Sequence, residues 1–350
     1  MSCPFAHPLA AALLAAALGP AASLAAAAHC RPHPGEHQLA RSAQAVVLAT
    51  GRAPQTITGC SRRSGTRRRI AVLERARAGE RLRLVGLHLA GTRVAYVAVR
   101  QESYDDHLGM VVTADDAIHG GRRHAVASYD PDSTIMPWWA VDADGDVAWL
   151  VEDRTTGWSL AAWRPGLGTH QIDARAATLD APRLSGGVLT WRRDGAARSL
   201  GLAGIPRSAC RLSLAPYSYA TLDVELDFSR ACLRATGQTV GLPFASDGSF
   251  TLLDANGPYL VVNWVVKVHS GSYLLDVATG AVTDLNHAFV QARDAVVDDH
   301  GSVAWTMGDG LHVRDAHGER VVPGAGSGPL VRDGSTVTWT GGGPTVTLAP

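Results

Sequence analysis

The sequence predicts an all-β chain arranged as a β-propeller, and three observations carry that prediction. Six segments, at 91–96, 145–149, 187–191, 259–264, 301–305 and 334–339, repeat one pattern. Each is an apolar or β-branched run that ends in an aromatic residue and is usually opened by Gly or Asp-Gly. The closing aromatics Tyr96, Trp149, Trp191, Trp264, Trp305 and Trp339 follow at steps of 53, 42, 73, 41 and 34 residues, near the length of one four-stranded blade, and the 73-residue step has room for an extra blade. No window after residue 30 keeps a helical period for three turns.

The first 28 residues read as a signal peptide. They carry no charge, Leu9 to Leu18 form an apolar core of Ala and Leu, and Ala26-Ala27-Ala28 offers a small-residue cleavage site. The leader has no Lys or Arg in its n-region. An Ala-rich stretch broken by Gly19-Pro20 spans a bilayer poorly, so no stable membrane insertion is expected after cleavage. The expected location is therefore secreted or cell-envelope. Domain boundaries follow: 1–28 signal peptide, 29–42 an N-terminal segment, 43–350 a single propeller domain. The 32 basic and 32 acidic residues cancel, which removes the electrostatic case for a nucleic-acid partner.

Four cysteines follow the leader: Cys30, Cys60, Cys210 and Cys232. An even count in an exported chain points to two disulfides, and four cysteines allow three pairings. An internal duplication chooses among them. Gly59-Cys-Ser-Arg-Arg-Ser-Gly65 returns as Ala231-Cys-Leu-Arg-Ala-Thr-Gly237, and each copy follows another cysteine, by 30 residues at Cys60 and by 22 at Cys232. Each copy is followed by an aromatic strand, 36 residues on at Tyr96 and 32 at Trp264, and then by two more, Trp149 and Trp191 or Trp305 and Trp339. The halves are read as 30–209 and 210–350, with Cys30 paired to Cys60 and Cys210 to Cys232 as structural disulfides.

Turn chemistry separates the strands. Ala278-Thr-Gly280, Asp315-Ala-His-Gly318, Asp194-Gly195 and Asp247-Gly248 lie between short apolar runs and signal hairpins. Eight candidate inner strands are counted, near Val47, Tyr96, Trp149, Trp191, Ala220, Trp264, Trp305 and Trp339, so six to eight blades are expected. Closure into a ring removes the exposed edges that an open sheet of this size would present.

The Asp-Gly-x-Val-Ala-Trp type of opening at Gly145 and Gly301 and the hairpin Asp276-Val-Ala-Thr-Gly280 carry a resemblance. Over most of 43–350 the chain resembles the TolB-like or WD40-like (PD40) β-propellers of exported bacterial proteins. The resemblance implies a toroidal scaffold whose usual work is to bind proteins or glycans.

Candidate chemistry is sparse. The aromatic strand ends sit beside Val, Leu and Ala and are read as blade core. In Trp138-Trp139 adjacent strand residues face opposite sides, so the pair is read as inter-blade packing or as one exposed ring. Arg62, Arg63, Arg67, Arg68 and Arg69 flank a Ser64-Gly65 turn and are read as a solvated hairpin, with an anionic wall polymer as the sharper alternative. Asp142, Asp144 and Asp146 resemble part of a calcium loop but lack its remaining ligands, and a β-turn explains them. His29, His33 and His37 sit in a Pro-containing N-terminal segment, where a terminus Ala27-Ala28-His29 would chelate copper through its amine, amides and imidazole only if cleavage falls after Ala26. Asp105-Asp106 and Asp115-Asp116 are the acids a glycosidase-type pocket would use. Motifs for nucleophilic catalysis or phosphate cradling are absent. The reading is an exported scaffold that binds a protein or cell-envelope ligand, with no catalytic residue, metal or cofactor; the alternative is a propeller-type glycan hydrolase or lyase.

Overall fold

The computed structural model describes residues 30–51, 55–73, 81–101, 108–120, 124–129, 134–153, 157–210, 212, 219–227, 229–242, 249–266, 269–286, 291–324, 326 and 328–350. The expected signal peptide lies outside them, as do Asp105-Asp106, Asp247-Gly248 and His29. Within them lie eight antiparallel sheets, each made of consecutive strands.

Sheet 1 comprises β1 (Glu36–Arg41), β2 (Ala45–Thr50), β3 (Gln55–Ser61) and β4 (Arg67–Leu73). Sheet 2 comprises β5 (Arg81–Ala90), β6 (Arg93–Gln101), β7 (Leu108–Asp116) and β8 (His124–Tyr129). Sheet 3 comprises β9 (Thr134–Val141), β10 (Val147–Asp153), β11 (Gly157–Arg164) and β12 (Gly168–Ala176). Sheet 4 has three strands, β13 (Leu179–Ser185), β14 (Val188–Arg193) and β15 (Ala196–Gly201), followed by a 3-10 turn at Leu202–Gly204. Sheet 5 comprises β16 (Tyr219–Ala220), β17 (Val224–Leu226), β18 (Arg230–Leu233) and β19 (Thr239–Gly241). Sheet 6 comprises β20 (Ser249–Asn256), β21 (Tyr259–Val266), β22 (His269–Asp276) and β23 (Ala281–Asp284). Sheet 7 comprises β24 (Asp294–Val297), β25 (Val303–Met307), β26 (Gly310–Asp315) and β27 (Gly318–Val322). Sheet 8 again has three strands, β28 (Leu330–Asp333), β29 (Thr336–Trp339) and β30 (Val346–Thr347). Consecutive meanders stacked face on face are the blade plan of a β-propeller.

Apolar layers fill the space between successive sheets. Val47, Ile57, Val94 and Tyr96 join sheets 1 and 2. Val97, Val112, Trp149 and Trp163 join sheets 2 and 3, and Leu150, Leu160, Leu189 and Trp191 join sheets 3 and 4. Equivalent layers bind sheet 5 to 6, 6 to 7 and 7 to 8. The aromatic strands are buried because they hold the second position in their sheets. Hydrogen-bonded on both edges and, in sheets 2, 3 and 7, covered on both faces, they read there as continuous apolar runs.

That position corrects two expectations. The first strands, not the aromatic ones, neighbour each other from sheet to sheet: β1 beside β5, β5 beside β9, β9 beside β13, β20 beside β24 and β24 beside β28. Seven of the eight candidate inner strands are thus second strands, and Ala220 lies in β16, the first strand of sheet 5. The domain also begins earlier than residue 43, because β1 pairs with β2 and belongs to sheet 1.

The duplication is written into hairpin geometry. Between the first and second strands of sheets 1 to 4 the unpaired residues are 42–45, 91–92, 142–146 and 186–187. In sheets 5 to 8 they are 221–224, 257–258, 298–302 and 334–335, the same four lengths in the same order. Even-numbered sheets use two-residue turns that begin on a glycine with φ near +57°: Gly91 at 58°, Gly186 at 57°, Gly257 at 53° and Gly334 at 57°. Odd-numbered sheets cap the loop with a side chain instead. Ser42 and Thr221 accept amide hydrogen bonds from two and three residues on, and Asp142 and Asp298 accept them from two and four residues on.

Disulfides join Cys30 to Cys60 and Cys210 to Cys232. Each ties the chain entering a half onto the third strand of that half's first sheet. Two residues on, Arg62 and Arg234 do the same work in each copy. Arg62 Nη1 donates to the Ser42 and Ala43 carbonyls at 3.1 and 3.3 Å, and Arg234 Nη1 to those of Thr221 and Leu222 at 3.2 and 3.3 Å.

The two halves meet along β12, which runs beside β16 and β28. Arg175, near the end of β12, is buried with 2% of its side chain exposed and sits in the left-handed region at φ 57°. Its guanidinium pairs with Asp294 of β24 and donates to the Leu253 carbonyl of β20. Asp294 also accepts from the Leu330 amide at 2.6 Å, so one ion pair gathers sheets 3, 6, 7 and 8.

Two outcomes are expected. Arg175→Ala leaves Asp294 buried without its partner and lowers unfolding free energy by about 3–5 kcal/mol in chemical denaturation, whereas Arg63→Ala, on an exposed turn, changes it by less than about 0.5 kcal/mol. Replacing Cys210 and Cys232 together by alanine removes a 22-residue closed loop and lowers stability by about 3 kcal/mol in the same assay.

Candidate functional site

A polar site lies at one end of sheets 2 and 3. Antiparallel alternation brings the start of β6, the end of β7 and the start of β8 to the same end, and the 142–146 loop and the β11–β12 turn of sheet 3 join them there. They enclose a cavity of about 180 Å³ lined by Arg93, Asp115, Asp116, His124, Gly145 and Trp163 among others. Gly145 permits the close approach of Arg93, since an added Cβ would lie 3.3 Å from its side chain.

The acid pair that the sequence singled out is central here. Asp116 Oδ2 pairs with Arg93 at 3.1 Å and accepts from Thr92 at 3.1 Å, while its Oδ1 accepts the Ile118 and His119 amides at 2.8 Å each. Burial pushes the Asp116 carboxyl up, but these donors outweigh it and hold the group below its usual range. Asp115 Oδ1 pairs with Arg68 of sheet 1 at 3.2 Å and accepts the Asp116 amide. Asp115 Oδ2 is buried with no hydrogen-bond partner. His124 is exposed and leans on Trp163, their ring centroids 5.0 Å apart.

A second cavity of about 210 Å³ adjoins the first across Pro165 and is lined by Arg164, Leu167, Ile205 and Arg207. The two cavities lie on either side of the β11–β12 turn, at the seams of sheet 3 with sheets 2 and 4.

The other sequence candidates take structural posts. Asp142 spends both oxygens on amides, Oδ1 on Asp144 and Asp146 and Oδ2 on Gly187 at 2.7 Å. Asp298, Asp299 and His300 lie close enough to share an ion, but Asp298 Oδ1 caps the His300 and Ser302 amides just as Asp142 Oδ1 caps its own loop. Of the arginine run, Arg62 caps a loop, Arg67 pairs with Glu36 at 2.8 Å and Arg68 reaches Asp115, so only Arg63 and Arg69 match the expectation of a solvated hairpin. Trp138 and Trp139 both pack between sheets, on opposite faces of β9. His33 is exposed ahead of β1 and His37 is exposed within it.

Sequence reasoning missed Arg175, which stands in an unremarkable Asp-Ala-Arg-Ala stretch. It also missed the role of Arg234, although the Cys-x-Arg repeat that contains it was visible.

No family model matches this sequence, and no curated protein is similar to it. Solved structures are similar only distantly. The β-propeller domain of the trilobed protease from Pyrococcus furiosus shares 10% identity at a TM-score of 0.29, covering 86% of this chain and 87% of that one. TolB from Acinetobacter baumannii shares 12% at a TM-score of 0.26, covering 77% and 60%. Acylaminoacyl peptidase from Pyrococcus horikoshii shares 8% at a TM-score of 0.30, and the match spans 80% of this chain but only 43% of that protein's length. The propeller assignment rests on the sheet order itself. No helix among the described residues is long and apolar enough to cross a membrane.

A pH prediction follows from the loop beside the cavity. Asp146 fills the position that Ser302 holds in the duplicate loop, and it is 1% exposed with Oδ1 unpaired. Burial and the neighbouring Asp142 raise its pKa to about 6, with Asp144 adding to the rise and Arg164, at 3.2 Å, opposing it. The folded form therefore keeps a proton that the unfolded chain releases, and stability falls as pH climbs from about 4 to about 6. Asp146→Asn is expected to flatten that fall, by about 2–3 kcal/mol across the window, when unfolding free energy is measured against pH.

Proposed function

We propose that the protein is an exported β-propeller scaffold that binds a protein or cell-envelope ligand and has no catalysis of its own. The observation that carries this reading is the pair of adjoining cavities on either side of the β11–β12 turn. At about 210 and 180 Å³ each falls below the roughly 300–1,000 Å³ of small-molecule sites. Together they form a grooved surface that suits a loop or a polymer better than a compact substrate. Its rim holds the exposed His124 and Arg207, and Asp115 Oδ2 supplies a buried acceptor with nothing yet to accept from.

Two disulfides support an oxidising, extracytoplasmic location. The hydrolase alternative gains less from this geometry. A glycosidase acid needs a raised pKa, and Asp116 is held low by amides and by its contacts with His119 and Thr92.

The test is capture from envelope extract with the tagged full chain, exported so that its cysteines oxidise. A saturable partner is expected, with the double variant His124→Ala, Arg207→Glu weakening its binding at least tenfold while the thermal midpoint holds. Release of sugar from envelope glycan by the wild-type chain, abolished in Asp116→Asn, would overturn the reading in favour of the hydrolase.

A further inference from the structure

We propose that β15 is a docking edge for a second copy of this chain, the two strands pairing antiparallel about a two-fold axis at Ser199. Six of the eight sheets have four strands, and sheet 4 stops at its third, so that among the described residues no strand pairs with the outer edge of β15. Ala196, Ala197, Arg198, Ser199 and Gly201 are exposed and Leu200 is half-buried.

Protein edges are normally protected by charge, by irregular pairing or by shortness. Such protection marks the outer strands elsewhere in the molecule. The outer pair of sheet 1 shifts register and β4 carries Arg67, Arg68 and Arg69; the outer pairs of sheets 2 and 3 shift register too. β19 and β23 have three and four residues, and β27 carries Glu319 and Arg320. In sheet 8 the edge strand β30 has two residues, and the chain just after it is held by Ala349 donating to Asp315. β15 runs six residues in unshifted register with β14 and has a single charge, Arg198.

Backbone parity says which groups face outward. The Leu202 amide donates to the Gly187 carbonyl, so that pair is a hydrogen-bonded one. Antiparallel pairs alternate, which makes the pairs at Gly201, Ser199 and Ala197 the non-bonded ones, with their amides and carbonyls directed away from β14. Only registers that match these three residues with their copies are allowed. In the register centred on Ser199, Ser199 meets its own copy and Ala197 meets Gly201 of the second copy, which gives three hydrogen-bonded pairs. Arg198 then lies across from Leu200 of the second copy, and its aliphatic stem covers that apolar surface. Shifting one way sets Arg198 opposite itself, like charge against like. Shifting the other way loses one of the three pairs. Equal numbers of acidic and basic residues add no global repulsion, and a two-fold contact closes on itself without forming fibres.

Sedimentation of the full, oxidised chain from micromolar to millimolar concentration tests this. A concentration-dependent monomer–dimer equilibrium is expected, with the Ser199 and Gly201 amides slowing in hydrogen exchange as dimer forms. Ser199→Pro removes a donor that points to solvent in the monomer, so it should keep the wild-type thermal midpoint and raise the dimer Kd more than tenfold. If that variant loses thermal stability, Ala197→Pro, whose amide also points outward, makes the same comparison. A chain that stays monomeric throughout overturns the proposal, even where an extended peptide of another protein protects the same amides. So does a dimer whose Kd ignores both prolines, or one in which the Ser199 amide exchanges as fast as in the monomer.

Discussion

Several sheets in this protein have a middle strand that must bury both faces at once. In β2 the consecutive residues Val46, Val47 and Leu48 are all 4% exposed or less, and the same holds for Val147, Ala148 and Trp149 of β10. A single sheet cannot satisfy such a strand, because its two faces look in opposite directions. Stacking sheet on sheet satisfies it, and each added sheet creates the same demand on its far side. The ends of the stack show how the demand is met or escaped. The outer face of sheet 1 carries Val46, Leu48 and Cys60, and Cys30 covers them through its disulfide. Sheet 4 escapes by becoming one-sided: Leu189 and Trp191 are buried against sheet 3, whereas Val188 is 41% exposed and Arg192 is in solvent.

This constraint explains why the duplication survives in geometry better than in sequence. Side chains in the layers exchange freely, provided that volume and polarity are kept. Hairpins do not, because a turn of the wrong length moves the next strand off its neighbours. The lengths of the first hairpins therefore repeat from one half to the other, while the residues that cap them vary within a chemical type, Ser42 against Thr221 and Asp142 conserved in kind as Asp298. Asp146 is the departure. Its counterpart Ser302 is neutral and donates to the Ala349 carbonyl at 2.6 Å, whereas Asp146 brings a charge into a buried place beside the cavity.

The fold was legible because its signals are local. Aromatic strand ends at blade-length intervals and Gly turns reveal the sheets one at a time, and the repeated Cys-x-Arg pattern reveals the halves. The assignment of aromatic strands to the inside failed for a physical reason: hydrophobicity reports burial, and burial is greatest in the second strand, not nearest the axis. The site was legible only in part. Asp115-Asp116 stood out as paired acids, but its partners Arg68 and Arg93 come from other strands and two sheets, and no spacing rule joins them. Arg175 left no trace at all, since its partners Asp294 and Leu253 lie 119 and 78 residues away.

Arg175 also shows what holds the halves in place. An apolar seam between them would tolerate sliding, because dispersion contacts reform after small shifts. A buried ion pair does not: displaced from Arg175, Asp294 would hold an unpaired charge in a low-dielectric site or take up a proton, and burial already pushes its carboxyl up against the pull of Arg175. The left-handed backbone at Arg175 adds a second discriminating feature, a conformation that persists only where the surroundings fix it. Arg193 reinforces the choice, pairing with Asp173 of sheet 3 and donating to the Arg332 carbonyl of sheet 8 at 2.6 Å. The apolar layers thus supply the bulk of the stability within each half. The polar contacts add little to it and instead select one arrangement of the two halves from the many that hydrophobic burial alone would accept.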